Sequence, residues 1–272
     1  MKLSSNGKPA NSIEISIIGC GRFGSFWGKH ISRFYKTSFY DLDESRKERV
    51  EPHGDWLPLE ECLAKDYIFL TIPIRQMPIF LKENSALFRP GSIVVDCASV
   101  KMAVVDWFEQ YLPDTVFYAA SHPLFGPDSA KDGLQGQAIT LQPVRIPFRN
   151  YNLLVKLFSE KMALQVLNIS AHEHDRLMAW NLSLIHHLGR TFYGMQIAKL
   201  PLMMYNLSHM NRIARIAAND TEELFQDFYL FNPFAEMVRD QFLESFNRIS
   251  ETFLPEKSGA KRYSVSETNF CS

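Results

Sequence analysis

The sequence predicts an α/β chain, with a doubly wound, mostly parallel sheet in its N-terminal part and an all-helical domain after it. Three observations carry this. Short β-branched or apolar runs alternate with helical segments from Ile13 to about Asn168. The first run enters a Gly-x-Gly-x-x-Gly turn, Gly19-Cys20-Gly21-Arg22-Phe23-Gly24. From Ser170 to Phe253 no convincing strand remains, and apolar residues recur at positions 177, 180, 184, 188 and 192, a helical period.

Composition sets bounds. The 272 residues are 46% hydrophobic and 22% charged, an ordinary globular profile for one large domain or two modest ones. A net charge of -1 gives no footprint for nucleic acid or an anionic membrane surface. With 21 Phe and 10 Met, a large apolar core and a buried subunit interface are expected. The four cysteines, Cys20, Cys62, Cys97 and Cys271, have neither Cys-x-x-Cys nor zinc-ligand spacing. Free thiols, no metal and a reducing cytoplasm follow as expectations. The polar N-terminus, MKLSSNGKPANS, lacks the apolar segment of a signal peptide. No run approaches the ~18 apolar residues of a membrane span.

Taken in order, residues 1–12 read as a loose tail and 13–18 as a strand. The glycine turn follows, then a helix over 25–34 and a strand over 37–40 that ends at Asp41. This is a Rossmann-type dinucleotide fingerprint in its proper setting. Gly19 allows the tight turn, Gly21 lets the backbone approach a pyrophosphate, and Gly24 lets the helix pack closely on the strand. The helix start, with Arg22 and Phe23, offers free N–H groups and a positive dipole end to phosphates. Asp41 lies 22 residues after Gly19, where a carboxylate accepts from the adenosine ribose hydroxyls and repels a 2′-phosphate. NAD is therefore favoured over NADP, with nearby Arg46 weighing the other way. The bland alternative is a glycine-rich turn in some other α/β protein.

Further strands are expected over 67–72, 92–96, 116–120, 138–142 and 164–168, with a helix over 151–161. Gly19, Pro73, Ser99 and His122 all follow strand ends, and ligands of open α/β sheets sit outside the carboxyl ends of the strands. The segment Ser121-His122-Pro123-Leu124-Phe125-Gly126-Pro127-Asp128-Ser129 is expected to be a stiff loop, since its prolines fix φ and remove donors. Such a loop would hold the His122 imidazole in place as a general base. The alternative is a proline-rich turn with a chance histidine.

In the helical part, a helix over 172–197 begins at Ser170 as N-cap, with Glu173 as its capping-box partner. Helices over 201–218, 222–231 and 233–253 follow, rich in Phe, Met and Leu. The expected division is a tail over 1–12, a dinucleotide-binding domain over 13–169, a helical dimerisation and substrate domain over 170–254, and a polar tail over 255–272. The helical segment is too apolar to bury its surface alone, so a homodimer is expected.

Several motifs together resemble the prephenate dehydrogenase family of tyrosine biosynthesis, which includes arogenate-specific relatives. The segment from Ser121 to Ser129 is similar to the family's His-Pro-Met-Phe-Gly-Pro signature, with Leu124 in place of Met. Asp96-Cys97-Ala98-Ser99-Val100-Lys101 resembles its Asp-x-x-Ser-Val-Lys, and His174-Asp175 its His-Asp pair. His186 stands eleven residues after that Asp, where a further histidine is expected. Arg215-Ile216-Ala217-Ala218-Asn219-Asp220 is similar to the segment that supplies the substrate-binding arginine. Ser183 stands where the family often has a first histidine, which leaves His187 as a competitor of His186. One extra residue after Asp220 makes Arg212 a competitor of Arg215.

The resemblance implies oxidative decarboxylation of prephenate by NAD to 4-hydroxyphenylpyruvate, with arogenate as the alternative substrate. His122 would take the C4 hydroxyl proton, and Ser99 would orient His122 or that hydroxyl by hydrogen bonding. Arg215 would hold the ring carboxylate, His186 the side chain, and Lys101 would add positive potential. Bland readings stand beside these. Ser99 could be a helix cap, Lys101 a solvated lysine, and His174 an anchor of its helix start. His186 and His187 could be packed helix residues, and Arg212 and Arg215 could pair with Glu222 or Glu223. A β-hydroxyacid dehydrogenase would need a lysine in the long helix, and residues 172–193 contain none. An NAD-binding regulator would keep the glycines without needing His122, Ser99 and Arg215.

Overall fold

The structure, a computed structural model, describes residues 13–196 and 202–252. The tails expected over 1–12 and 255–272 lie outside them. The chain divides after Asp175 into two units, six residues beyond the boundary expected from the pattern. The first turn of the long helix stays with the sheet because Asp175 is bonded to the backbone of Lys101 and Met102.

The first unit is one eight-stranded sheet: β1 Glu14–Ile18, β2 Lys36–Tyr40, β3 Asp55–Trp56, β4 Tyr67–Leu70, β5 Ile93–Asp96, β6 Phe117–Pro123, β7 Ala138–Arg145 and β8 Gln165–Leu167. The strand order is β3-β2-β1-β4-β5-β6-β7-β8. The strands from β3 to β6 are parallel, β7 runs antiparallel to β6, and β8 is parallel to β7. The order reverses direction at β1, which lies between β2 and β4, and that switch opens a crevice at the carboxyl ends of the strands.

Helices α1 Arg22–Ile31, α2 Lys47–Val50, α3 Leu59–Leu63, α4 Met77–Asn84, α5 Met102–Tyr111 and α6 Phe148–Lys156 connect these strands. Helix α1 starts directly after the second glycine, three residues earlier than the pattern suggests, and ends at Ile31. Central strands β4 and β5 are buried at every residue, as strands covered on both faces must be. On one face Ile15, Ile17, Phe69 and Val95 pack with Trp27 of α1 and with Phe158. Trp27 is fully buried, with the rings of Phe69, Phe125 and Phe158 about it.

The segment around His122 differs from expectation. It is the end of strand β6 rather than a loop, with His122 opposite Thr140 and Pro123 opposite Ile139 of β7. The pairing of β6 with β5 ends at Val95 opposite Ala119. Alternate N–H groups of a strand point to opposite sides. The Ser121 N–H points toward β5, where it meets the Asp96 carboxylate at 3.1 Å, and residue 123 points the same way. Proline at 123 therefore lacks a donor where no strand would have received it.

The second unit is helical. Helix α7 Ala171–Met178 passes through a wide π-helical turn, Ala179–Leu184, into α8 Ile185–Gly194; α9 Tyr205–Asn219, α10 Glu222–Leu230 and α11 Ala235–Glu251 follow. The start of α7 is capped as the pattern implies, the Glu173 N–H reaching the Ser170 hydroxyl at 3.1 Å. Among the described residues the second unit holds no strand, and no described helix is long and apolar enough to cross a membrane.

Candidate active site

The glycine loop leaves β1 with Gly19 at φ +98°, a conformation that favours glycine. Its N–H donates to the Tyr40 carbonyl at 2.8 Å, tying the loop to the end of β2. A Cβ at Gly24 would collide with the Gly19 carbonyl oxygen, so only glycine lets α1 seat on the loop. Gly21, the residue before α1, supplies no side-chain cap, and the first turn of the helix carries no acid. Its N–H groups are thus placed for an anion. The Thr71 hydroxyl, after β4, donates to the Gly19 carbonyl at 2.6 Å. Thr71 was not singled out from the sequence.

Asp41 sits at the end of β2 as expected, and its carboxylate is already engaged. It accepts from the Cys20 N–H at 2.6 Å, the Asp43 N–H at 2.9 Å and the Arg46 guanidinium at 2.9 Å. Arg46 lies beside the loop, 3.6 Å from where a Cβ on Gly21 would be. Arg22 is exposed and pairs with Asp128 at 2.7 Å. The Phe23 ring stacks on Trp27, 5.8 Å between centroids, and belongs to the core. What Phe23 offers a cofactor is backbone. Pro73 is exposed in the turn after β4.

A polar network closes the ends of β5 and β6. Asp96 is fully buried and accepts from the Ala98 N–H at 3.0 Å, the Ser121 N–H at 3.1 Å and the Tyr118 hydroxyl at 3.2 Å. The Lys101 ammonium, 2% exposed, is bonded to the Asp96 carboxylate and to the Ser121 carbonyl at 2.7 Å. Lys101 is therefore not the solvated lysine of the bland reading: its charge is held inside by an anion five residues earlier, where it still adds positive potential beside His122. Such a pair fixes geometry more than it adds stability.

His122 is 8% exposed, and its Nδ1 lies 2.9 Å from Nε2 of His174. The other nitrogen of His174, Nδ1, is 2.8 Å from Oδ1 of Asp175. Asp175 also accepts from the N–H groups of Lys101 at 2.7 Å and Met102 at 2.8 Å, which caps the start of α5. His174 is therefore more than the helix anchor read from the sequence. The His-Asp motif was the available signal, but its contact with His122 spans 52 residues. Burial holds the His122 imidazole well below the ordinary histidine range, with His174 and Lys101 adding to the shift. Burial also lowers His174, against the pull of Asp175. Ser99, half-buried, makes no hydrogen bond to His122 among the described residues, and the cap of α5 is Asp175. The cap reading of Ser99 is thus not met, and of its two expected partners the substrate hydroxyl is left.

The other residues singled out from the sequence belong to the helical unit. His186 is buried at the exit of the π-helical turn, edge-on to Phe228 at 5.0 Å. Its Nδ1 has no hydrogen-bond partner among the described residues. Its Nε2 lies 3.5 Å from an Asp220 oxygen. That contact is not an ion pair near neutrality, because burial and then Arg190 lower the imidazole to about 4. His187 is half-buried beside Phe225 and Tyr229. Arg212 and Arg215 share one face of α9 and are exposed, with no anionic partner among the described residues. Glu222 pairs with Arg190 instead, at 2.7 Å. Burial raises the Cys20 and Cys62 thiols to about 12, so neither is a nucleophile.

The loop, the sheet order and the switch point define a Rossmann-like α/β fold followed by a helical region. Residues 38–160 match the nucleotide-binding domain of prephenate dehydrogenase. The chain is 25% identical over 259 residues to arogenate dehydrogenase 1 of Arabidopsis thaliana, which covers 91% of this chain but only 40% of that protein. It is 25% identical over 256 residues to cyclohexadienyl dehydrogenase of Zymomonas mobilis, with 87% of each chain covered. In fold it is similar to prephenate dehydrogenase from A. aeolicus, crystallised with hydroxyphenyl propionate and NAD+. The TM-score is 0.72 at 21% identity, over 90% of this chain and 91% of that one. Across these comparisons the chain is similar to prephenate and arogenate dehydrogenases, with the family match confined to residues 38–160.

Proposed function

We propose that this protein oxidises prephenate with NAD, releasing carbon dioxide and 4-hydroxyphenylpyruvate. The observation that carries the reading is His122. It stands at the carboxyl end of β6, on the edge of the sheet that holds the glycine loop, with one ring nitrogen bonded inside the protein and Nε2 left for a substrate. Bound NAD supplies the hydride acceptor. The residues of the chain do the rest. Gly19, Gly21, Gly24 and the N–H groups of Arg22 and Phe23 receive the pyrophosphate, Asp41 the ribose, and Pro73 and Ser99 border the nicotinamide end. Nε2 of His122 takes the proton of the C4 hydroxyl as hydride leaves the same carbon. The electron pair of the O–H bond becomes part of a carbonyl. Loss of the C1 carboxylate then aromatises the ring, which supplies the driving force. Arg215 receives the ring carboxylate, its planar fork matching a carboxylate and its face of α9 still unpaired. His186 is assigned to the side chain of the substrate.

Arogenate is the sister substrate. It differs only in the side chain, and the Arabidopsis relative bears its name. The position of Arg46 on Asp41 favours a second reading of the cofactor, in which NADP also binds. Comparing dissociation constants for NAD and NADP decides this. A homodimer through the helical unit is supported by exposed Met237, Leu243, Phe246 and Ile249 on α11. Solution molar mass tests it.

The test of the assignment is His122→Asn. Turnover should fall ~10²-fold or more with dinucleotide affinity nearly unchanged. Near-normal turnover would remove His122 from the chemistry.

A further inference from the structure

We infer that His174 is the positioning residue that sets the tautomer of His122, with Asp175 in turn setting His174. The three form a buried His-His-Asp relay whose outer end is the bare Nε2 of His122. The inference deepens the proposed role of His122.

The direction of every bond in the relay is decided at Asp175. Its two oxygens face the backbone N–H groups of Lys101 and Met102, at 2.7 and 2.8 Å, and these groups only donate. Asp175 is therefore an acceptor, and the contact at 2.8 Å from Nδ1 of His174 requires that nitrogen to carry the hydrogen. A neutral His174 then presents a lone pair at Nε2. His122 approaches that lone pair with Nδ1 at 2.9 Å, so Nδ1 of His122 carries its hydrogen. A neutral His122 is left with its lone pair on Nε2, the form a general base needs. The opposite tautomer would set two lone pairs against each other in a buried site.

Burial keeps both rings neutral before the reaction. The charged groups facing them are Lys101, which disfavours a second proton on either ring, and Asp96 and Asp175, which favour one on His174. When the substrate O–H bond breaks and the Nε2–H bond forms, His122 becomes imidazolium. Its Nδ1–H still points at the His174 lone pair, and Asp175 supplies the compensating negative charge two bonds away. Anchoring α7 does not require the His174 ring, because Ser170 caps that helix. The Ser170 carbonyl receives the His174 N–H at 2.8 Å and its hydroxyl receives the Glu173 N–H at 3.1 Å.

The experiment is ¹⁵N NMR of histidine-labelled full-length protein near pH 7, with the His122 resonances assigned by their loss in His122→Asn. Long-range ¹H–¹⁵N couplings report which nitrogen carries the proton. Wild type should show His122 protonated at Nδ1 and bare at Nε2. His174→Phe should lose this preference and lower turnover ~10²-fold or more, with substrate KM within about threefold. His174→Gln, whose amide oxygen can accept from Nδ1–H, should keep the tautomer and hold turnover within about tenfold of wild type. Wild-type His122 protonated at Nε2 would overturn the relay. So would a His174→Phe protein with unchanged tautomer and turnover. If His174→Phe does not fold, the wild-type spectrum and His174→Gln still decide. If the wild type turns over neither prephenate nor arogenate, the proposed reaction fails, while the spectrum judges the relay separately.

Discussion

The two units treat their polar side chains in opposite ways. In the first, Asp96, Lys101, Ser121, His122, His174 and Asp175 are all buried and bonded to side chains or backbone of the same group. In the second, Arg212 and Arg215 are exposed on one face of α9 without anionic partners among the described residues, and His186 is buried with an orphaned nitrogen. On the proposed reaction, the difference corresponds to a division of functions. A proton acceptor must be held in one orientation and one tautomer before substrate arrives, so folding itself sets it. A cation that receives a substrate carboxylate is better left without an internal partner, since breaking an ion pair would lower affinity. Substitutions in the first group should therefore act on stability and turnover, and those on α9 on substrate affinity.

Lys101→Met breaks this comparison most sharply. It leaves Asp96 as a buried carboxylate without its cation, and the first unit should lose ~3–5 kcal/mol of stability. Urea unfolding measures this, and a loss below ~1 kcal/mol would mean that the network is not closed as described.

The pH dependence of stability comes next. His186 takes a proton only near 4 when folded but near 6.5 when unfolded. Below pH 6.5 the unfolded chain binds more protons, so stability falls as pH drops from 6.5 toward 4, by up to ~3 kcal/mol from this residue. His122 and His174, also lowered by burial, act in the same direction. Urea midpoints at pH 7.5 and 5.0 check this, and His186→Phe should flatten part of the slope.

The smallest effect is expected on α9. Arg215→Ala should raise the apparent KM for prephenate ~10-fold with little change in turnover or melting temperature. If Arg212→Ala does this instead, the arginine assignment moves one turn along the helix.

How much of this was legible follows the same division. The glycine loop could be read because each glycine meets a local demand: Gly19 a positive φ, Gly24 the approach of α1. Strands β4 and β5 were legible as apolar runs. The end of β6 was not, because a proline argues against a strand unless the reach of the neighbouring strand is known, and β5 stops short of residue 123. Lys101 reads as a surface residue by type, and only the fold shows that Asp96 lies beneath it. The contact of His122 with His174 joins residues 52 apart, beyond any periodicity or cap rule. Ser99 carried a motif that named two partners, His122 or the substrate hydroxyl, and among the described residues its own chain supplies no bond to the first.

The most direct test of the proposed activity is NADH formation, followed at 340 nm, with purified full-length protein, NAD, and prephenate or arogenate in parallel. The account predicts steady NADH production with prephenate and its loss in His122→Asn. Turnover with arogenate alone would keep the chemistry and change the substrate. NAD binding without turnover of either substrate would contradict the account and favour a non-catalytic NAD-binding role.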